Sequence, residues 1–392
     1  MKSEWNTSAI ANICKVVTDG SHTSPKSVSH GKYMVSVKDF TPYGFDFNGC
    51  RQISFADYEK LKSSGCVPQK GDILIGKDGA RYFEDIIIYN QDEAPALLSS
   101  IAILRCDEEK VIPEYLYYLL KTPSFKKDVK DNYGSGSAIP RIILKDFKRM
   151  KVEYPSIEKQ RQIVSILHDL DAKIFNNQKV NDNLEQQAAA LFSSLYNRSN
   201  TEVRYTDLIQ ILGGGTPKTG ETAYWNGNIA FFTPKDVGTP YTFITEKTIT
   251  EEGLSNCNSR LYPVNTVFVT ARGTVGKVGL SGVPMAMNQS CYALVGKETH
   301  QLLVYFYTLK VVDKLKHKAS GAVFDAITTR DFESEQIMKL SDDDARAFLC
   351  VAEPVFQDIL NNSIENLRLS TLRDFLLPKL MSGEIDVSNI QF

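Results

Sequence analysis

At 392 residues the chain exceeds the ~250–300 residues at which a single hydrophobic core stops growing, so two or more domains are expected. Hydrophobic content of 42% with 23% charge excludes disorder, and without a signal-peptide core in MKSEWNTSAI or any run near ~18 apolar residues, a soluble cytoplasmic protein with no membrane contact is expected. The seven cysteines are scattered and form no CxxC pair, which excludes a zinc site and a disulfide framework, while the net charge of −2 excludes a uniformly basic surface.

In chain order, residues 1–155 open with the glycine-punctuated loop DGSHTSPK at 19–26. Short β-type runs follow, YMVSV at 33–37, DILIG at 72–76 and SSIAIL at 99–104, before a late helical stretch, PEYLYYLL at 113–120. The period changes over residues 156–198. Ile163, Leu167, Leu170 and Ile174, then Leu184, Ala188, Leu191 and Leu195, recur in steps of four and three, the spacing of a coiled-coil helix. Asn177 and Asn181 occupy the same seam at its centre. Residues 199–340 return to short runs, NIAFF, NTVFVT and CYALV, with a helical stretch from Leu302 to Lys316. Residues 341–392 form a second long helix and a tail. Ser156 and Ser341 stand where helix N-caps belong, and Asp342, Asp343 and Asp344 complement the positive end of the second helix.

The plan is written twice. SGSAIPRIILKDF at 135–147 aligns with SGAVFDAITTRDF at 320–332 at an offset of 185, and GDILIGKDGA at 71–80 aligns with NTVFVTARGT at 265–274 at an offset of 194. PEYLYYLL matches LVYFYTLK at 303–310, SPK at 24–26 matches TPK at 216–218, and VKDF at 37–40 matches PKDV at 234–237. The offsets drift because surface loops differ in length. The fold class that follows is mixed α/β: two globular domains of short twisted strands and two long helices, related by a pseudo-twofold internal repeat. Charge is near balance in both copies, 22 Lys/Arg against 20 Asp/Glu in residues 1–154 and 14 against 13 in 199–340, so any polyanion surface must be local.

Shifting the first seam by 185 gives Phe348, Ala352, Val355, Ile359, Asn362, Asn366, Leu369, Arg373, Leu376 and Leu380, with asparagines again at the centre. Two similar halves pack most simply about a twofold axis. With that axis perpendicular to a helix of ~60 Å, the helices form an antiparallel coiled coil with a domain at each end. Asn177 then faces Asn366 and Asn181 faces Asn362. A buried amide opposite leucine leaves donors unpaired, so such pairs fix register at some cost in stability. The competing reading makes the asparagines a solvent-exposed stretch of seam.

YPSIEKQRQIVSILHDLDAKI at 154–174, LLPKLMSGEIDV at 376–387, GGGTPKTGETAYWNGNIAFFTPKDV at 213–237 and ARGTVGKVGL at 271–280 complete the pattern. In this order, twice, the chain resembles the specificity subunits of type I restriction-modification systems. The first copy departs, with GKDGARYF where the second has ARGTVGKV and no YW element. The resemblance implies a non-catalytic reader of double-stranded DNA. Each target-recognition domain would read one half of a split, asymmetric site, with the spacer set by the coiled coil. Two methyltransferase subunits would bring S-adenosylmethionine for adenine methylation, and restriction/translocase subunits would use ATP and magnesium. No cofactor is expected on this chain, which lacks (D/N)PP(Y/F) and a GxGxxG after a strand; GTVGKV at 273–278 is too short for a phosphate-binding loop.

Sequence reading needs Arg or Lys for guanine edges and Asn or Gln for adenine edges, with cations and small polar groups on phosphates. In the first domain the loops offer Ser21, His22, Thr23, Lys26, Lys38, Lys77 and Arg81. In the second they offer Thr216, Lys218, Thr219, Lys235, Arg272, Lys277, Asn288 and Gln289. The glycine loops at 134–137 and 320–321 would allow close approach to a nucleic-acid backbone. Against each residue stands a structural reading: turn chemistry for TPK and ARGTVG, a carboxylate partner for Arg272, packing for Tyr224 and Trp225. Two other functions fit the organisation, a coiled-coil scaffold with two protein-interaction modules and no DNA, and a specificity protein serving methylation only.

Overall fold

The computed structural model describes residues 5–134, 140–238, 240–318 and 326–387. The loop positions 135–137 and 320–321 lie outside the described residues. The chain forms two compact units, residues 1–173 with 368–392, and residues 174–367. Both long helices, Ile157–Arg198 and Asp342–Met381, cross the division, so each unit is a globular domain with a portion of both helices.

The first unit is centred on an antiparallel sheet in the order Cys14–Asp19, Ile101–Cys106, Ile73–Gly76, Ile86–Ile88. The apolar runs are continuous because both faces are covered. Ile73, Ile75, Ala102 and Leu104 pack with Tyr115, Leu116 and Phe147, whereas Leu74, Ile101 and Ile103 pack with Val35, Phe45 and Tyr89. A small sheet places Lys32–Val35 between Gln52–Ile53, antiparallel, and Ala96–Leu97, parallel. Ile163 and Leu167 of the first long helix and Leu377, Leu380 and Met381 of the second join the Tyr115 core. The Gln160 side chain, fully buried, accepts from Ile112 N (3.0 Å) and donates to Lys110 O and Pro155 O, which fastens the helix start to its domain. Within this unit Asp171 accepts from Tyr118 (2.7 Å) and from Arg373 (2.8 Å), a cross-helix ion pair. Burial first, and then the Asp171 carboxylate, push the Tyr118 hydroxyl well above its ordinary range.

The second unit repeats this plan with one strand added. Its main sheet runs Ile209–Gly213, Cys291–Gly296, Val267–Thr270, Val278–Ser281, with Tyr241–Thr242 added in parallel at the edge. Trp225–Phe232 lies between Lys247–Ile249, antiparallel, and Met285–Met287, parallel. The pairs Met34↔Ala96 and Val35↔Leu97 recur as Phe231↔Ala286 and Phe232↔Met287. Asn6↔Tyr154 recurs as Thr201↔Lys339.

In this unit Ala188, Phe192 and Leu195 meet Phe348, Ala352, Phe356 and Ile359 in one core with Tyr305 and Phe306. Beyond it, Asn177 Nδ2 donates to Asn366 Oδ1 (2.9 Å) and to Glu365 Oε2 (2.7 Å). Asn362 Nδ2 donates to Asn181 Oδ1 (2.9 Å), and Asn181 Nδ2 donates to Ser363 Oγ (3.2 Å). One residue number rises as its partner's falls, so the helices are antiparallel. Asn177 and Asn181 are 5% and 8% exposed, which places them in the interior rather than on a wet stretch. Ser341 caps its helix by accepting from Asp344 N (3.1 Å). The second helix continues through Pro354 and Pro378. A proline inside a helix costs ~3 kcal/mol, and burial of Ala352, Phe356 and Ile359 around Pro354 offsets it. Among the described residues no helix is long and apolar enough to cross a membrane.

Candidate nucleic-acid interface

Three loop elements recur in both domains and carry the candidate residues. In the first, a glycine lies against the small sheet where no side chain fits. A Cβ on Gly20 would fall 2.3 Å from Leu97 O, and one on Gly214 would fall 2.2 Å from Asn288 O. Ser21 N then donates to Leu97 O (2.7 Å), as Gly215 N does to Met287 O (3.1 Å). This fastens the SPK and TPK loops by their backbones and leaves their tips projecting, with Lys26, Lys218 and Thr219 exposed.

The second element is a turn closed by its own side chains. Asp39 accepts from Ser36 N (2.7 Å) and Ser36 Oγ (3.1 Å), and Asp236 accepts from Thr233 N (2.7 Å) and Thr233 Oγ1 (2.6 Å). Each turn displays an exposed lysine, Lys38 or Lys235, at the same place. Lys235 lies 3.7 Å from Glu246.

The third element is the loop after a central strand of each main sheet, Ile73–Gly76 in the first domain and Val267–Thr270 in the second. Lys77 N donates to Ser100 O (2.9 Å) and Ile142 N to Lys77 O (2.9 Å); in the second copy Ala271 N donates to Ser290 O (2.8 Å) and Ile327 N to Ala271 O (2.9 Å). A left-handed glycine follows in each, Gly79 (φ 92°) or Gly273 (φ 81°), a conformation that side chains disfavour.

Several candidate residues are engaged internally. Lys77 is 7% exposed, with its ammonium 3.3 Å from Asp19 and 3.7 Å from Asp78, so its charge serves the domain interior instead of an outer surface. Ser21 is buried and donates to Thr23 O (2.8 Å), while Thr23 N donates back to Ser21 Oγ (3.1 Å). His22 is exposed, 3.4 Å from Asp19. Arg81 is exposed and bonded to Asp85 (2.8 Å), which raises its guanidinium pKa further. Thr216 donates to Gln289 Oε1, and Asn288 Oδ1 accepts from Ser290 N (3.0 Å). Trp225 stacks edge-on against Phe231 and Lys247 lies over its ring, 5.5 Å from the centroid.

The second domain brings Lys235, Arg272 and Asn288 together around a cleft of about 480 Å³, with Lys247, Thr233 and Ser290 also in its wall. Arg272 and Lys277 are exposed, and among the described residues neither side chain has an ion pair. Glu246 is the one carboxylate among the cleft-lining residues, so three cations outweigh it. Burial, then the nearby Asp236 carboxylate, push the Cys291 thiol up to about 12, which keeps it protonated and inert. Among the described residues no group of three or more His, Cys, Asp or Glu is placed to hold a metal ion. The cleft wall gathers three cations and one amide, Lys235, Lys247, Arg272 and Asn288.

The description "Type I restriction modification DNA specificity domain" matches residues 2–186 and again residues 197–339. The chain belongs to this family. It is 25% identical over 310 residues to the type I restriction enzyme MjaIX specificity subunit of Methanocaldococcus jannaschii, covering 72% of this chain and 71% of that one. It is 24% identical to the HindI specificity subunit of Haemophilus influenzae, covering 81% and 87%. The crystal structure of a type I restriction-modification S subunit from M. genitalium shares the fold, with a TM-score of 0.58, 15% identity and 96% of each chain covered. Like the paired family matches, the two target-recognition domains of this specificity subunit are copies of one another.

Lys247, Thr233 and Ser290 escaped the sequence reading. The signal for the turns was present: the Ser/Thr-x-Lys-Asp spacing recurs at Ser36–Asp39 and Thr233–Asp236, one residue ahead of the aligned VKDF and PKDV.

Proposed function

We propose that this specificity subunit reads a bipartite, asymmetric DNA site, one half per target-recognition domain, and directs adenine-N6 methylation or cleavage by partner subunits in the cytoplasm. It acts as a recognition component and does no chemistry. Two methyltransferase subunits supply S-adenosylmethionine, and restriction/translocase subunits supply ATP- and magnesium-dependent steps. The loop residues Lys26, Lys38, Lys218, Thr219, Lys235, Arg272, Lys277 and Asn288 are the proposed DNA-facing set; Ser21, His22, Thr23, Lys77, Arg81, Thr216 and Gln289, each engaged within the protein, are left out of it. Phosphate contacts fall to the lysines, and base reading to Arg272 and Asn288.

The observation that carries this reading is the cleft in the second domain that gathers Lys235, Lys247, Arg272 and Asn288. A protein-interaction scaffold has no need of cations and an amide converging on one concavity, or of a lysine displayed on matched turns in both copies. The paired helices, 42 and 40 residues long, act as the spacer ruler, with the two asparagine pairs fixing their register. The test is selection from a randomised duplex pool by the full chain purified with its methyltransferase partner. Enrichment of two short specific elements separated by a fixed unspecified gap is expected. A single contiguous element, or no enrichment, refutes it.

A further inference from the structure

The loop after the central strand is tied down in each domain by one isolated antiparallel bridge, Asp78↔Arg141 in the first and Arg272↔Ala326 in the second. The bridges are equivalent, since their flanking hydrogen bonds, through Lys77 and Ile142 or Ala271 and Ile327, match pair for pair. Residues directly opposite in an antiparallel pair project their side chains from the same face, ~4.5–5.5 Å apart at Cβ. Each bridge therefore displays one arginine from one face, and the arginine has changed sides. It comes from the returning segment in the first domain (Arg141) and from the loop in the second (Arg272). Both are exposed, and among the described residues neither guanidinium has an ion pair. Each faces a small or short residue, Ala326 or Asp78, which leaves its fork clear. The Asp78 side chain is partly exposed on that face, but its Oδ1 is buried 3.7 Å from the Lys77 ammonium, and no ion pair joins it to Arg141 among the described residues.

The backbone here is fixed by main-chain hydrogen bonds and a left-handed glycine, none of which depends on the side chain displayed. A position whose conformation is held and whose side chain is free suits a reading head. Arginine is the residue whose planar fork matches O6 and N7 of guanine in the major groove. In the second domain Arg272 stands in the cleft wall beside Lys235 and Lys247, which supply the phosphate anchorage that fixes its approach.

We propose that Arg141 and Arg272 are specificity-determining residues, each reading one guanine in the half-site bound by its own domain. The inference rests on the DNA-reading function proposed above. It adds Arg141 to the recognition surface and gives both arginines the same base.

The test repeats the duplex selection with the full chain and its methyltransferase partner, comparing wild type with Arg141→Gln, Arg272→Gln and Arg272→Lys. Glutamine retains hydrogen-bonding capacity but matches N6 and N7 of adenine. Each glutamine variant is expected to lose guanine preference about 10- to 100-fold at one base and gain adenine there. The two variants are expected to act in opposite halves of the motif, with the other half and the spacer unchanged. Thermal midpoints should match wild type, since both side chains are exposed. Arg272→Lys should weaken guanine preference at that same base, because an ammonium has no fork. A uniform loss across all sequences in the glutamine variants, with Arg272→Lys behaving as wild type, makes these residues phosphate anchors and overturns the inference. So does an unchanged motif. In both cases a bipartite wild-type motif leaves the DNA-reading function standing; absence of any wild-type motif removes both.

Discussion

Replacing Asn181 or Asn362 with leucine should expose the register device of the coiled coil as a coupling energy. Asn181 is 8% exposed, accepts from Asn362 Nδ2 at 2.9 Å and donates to Ser363 Oγ at 3.2 Å. In Asn181→Leu the Asn362 amide loses its acceptor, and an orphaned polar group costs ~1–3 kcal/mol when fully buried. Asn362 is only half-buried, so water recovers part of that, and ~1–2 kcal/mol is the expected penalty of a mixed pair. The double leucine variant removes both polar partners, and its apolar contacts offset the lost hydrogen bonds. A double-mutant cycle cancels the separate gain from each leucine and leaves the coupling. Urea unfolding of the full chain, followed by far-ultraviolet circular dichroism, should give ~1–2 kcal/mol in favour of the matched pairs. With Asn177 and Asn366 forming a second pair, a slip of one heptad breaks both amide pairs and costs ~2–4 kcal/mol. Additivity within ~0.3 kcal/mol refutes the reasoning.

Lys77→Met leaves the Asp19 carboxylate, itself 8% exposed, with only the exposed His22 nearby, and should destabilise the first domain by ~3–5 kcal/mol without altering which bases are selected; a shifted motif in a stable variant refutes the structural role. Burial, with Asp182 adding to it, raises the pKa of Glu185 against the opposing hydrogen bond from Tyr305 (3.0 Å). Because the folded value is raised, this group's contribution is full below the ordinary carboxylate range, near ~4.3, and is lost as pH rises through the raised value. Glu185→Gln should flatten that fall in urea midpoint above the ordinary carboxylate range, and parallel pH curves for the two proteins contradict it. Inserting one heptad into each long helix should change the spacer of the selected motif and leave both half-sites intact; altered half-sites with the old spacer refute the ruler.

The repeat, the element order and the two long helices were legible because their periods and matched strings are local. The seam of fours and threes located Phe348, Ala352 and Ile359, but it missed Phe192, which stacks on Phe306, and Phe356, which meets the same ring edge-on. Local propensity would also break the second helix at Pro354, where packing prevails. The recognition loops were harder to read because their side chains are sorted by partners distant in sequence. Lys77 and Arg272 occupy similar glycine-adjacent loop strings, yet one turns inward to Asp19 and the other lines a cleft. Arg141 served only to align the two copies until its bridge to Asp78 placed it opposite the recognition loop.

Selection of a methyltransferase's DNA site by this chain leaves a signature in genomic methylation. Long-read methylome sequencing of cells with and without the gene, the partner methyltransferase being active in both, tests it most directly. One bipartite methyladenine motif is expected to disappear when the gene is removed. An unchanged methylome contradicts it.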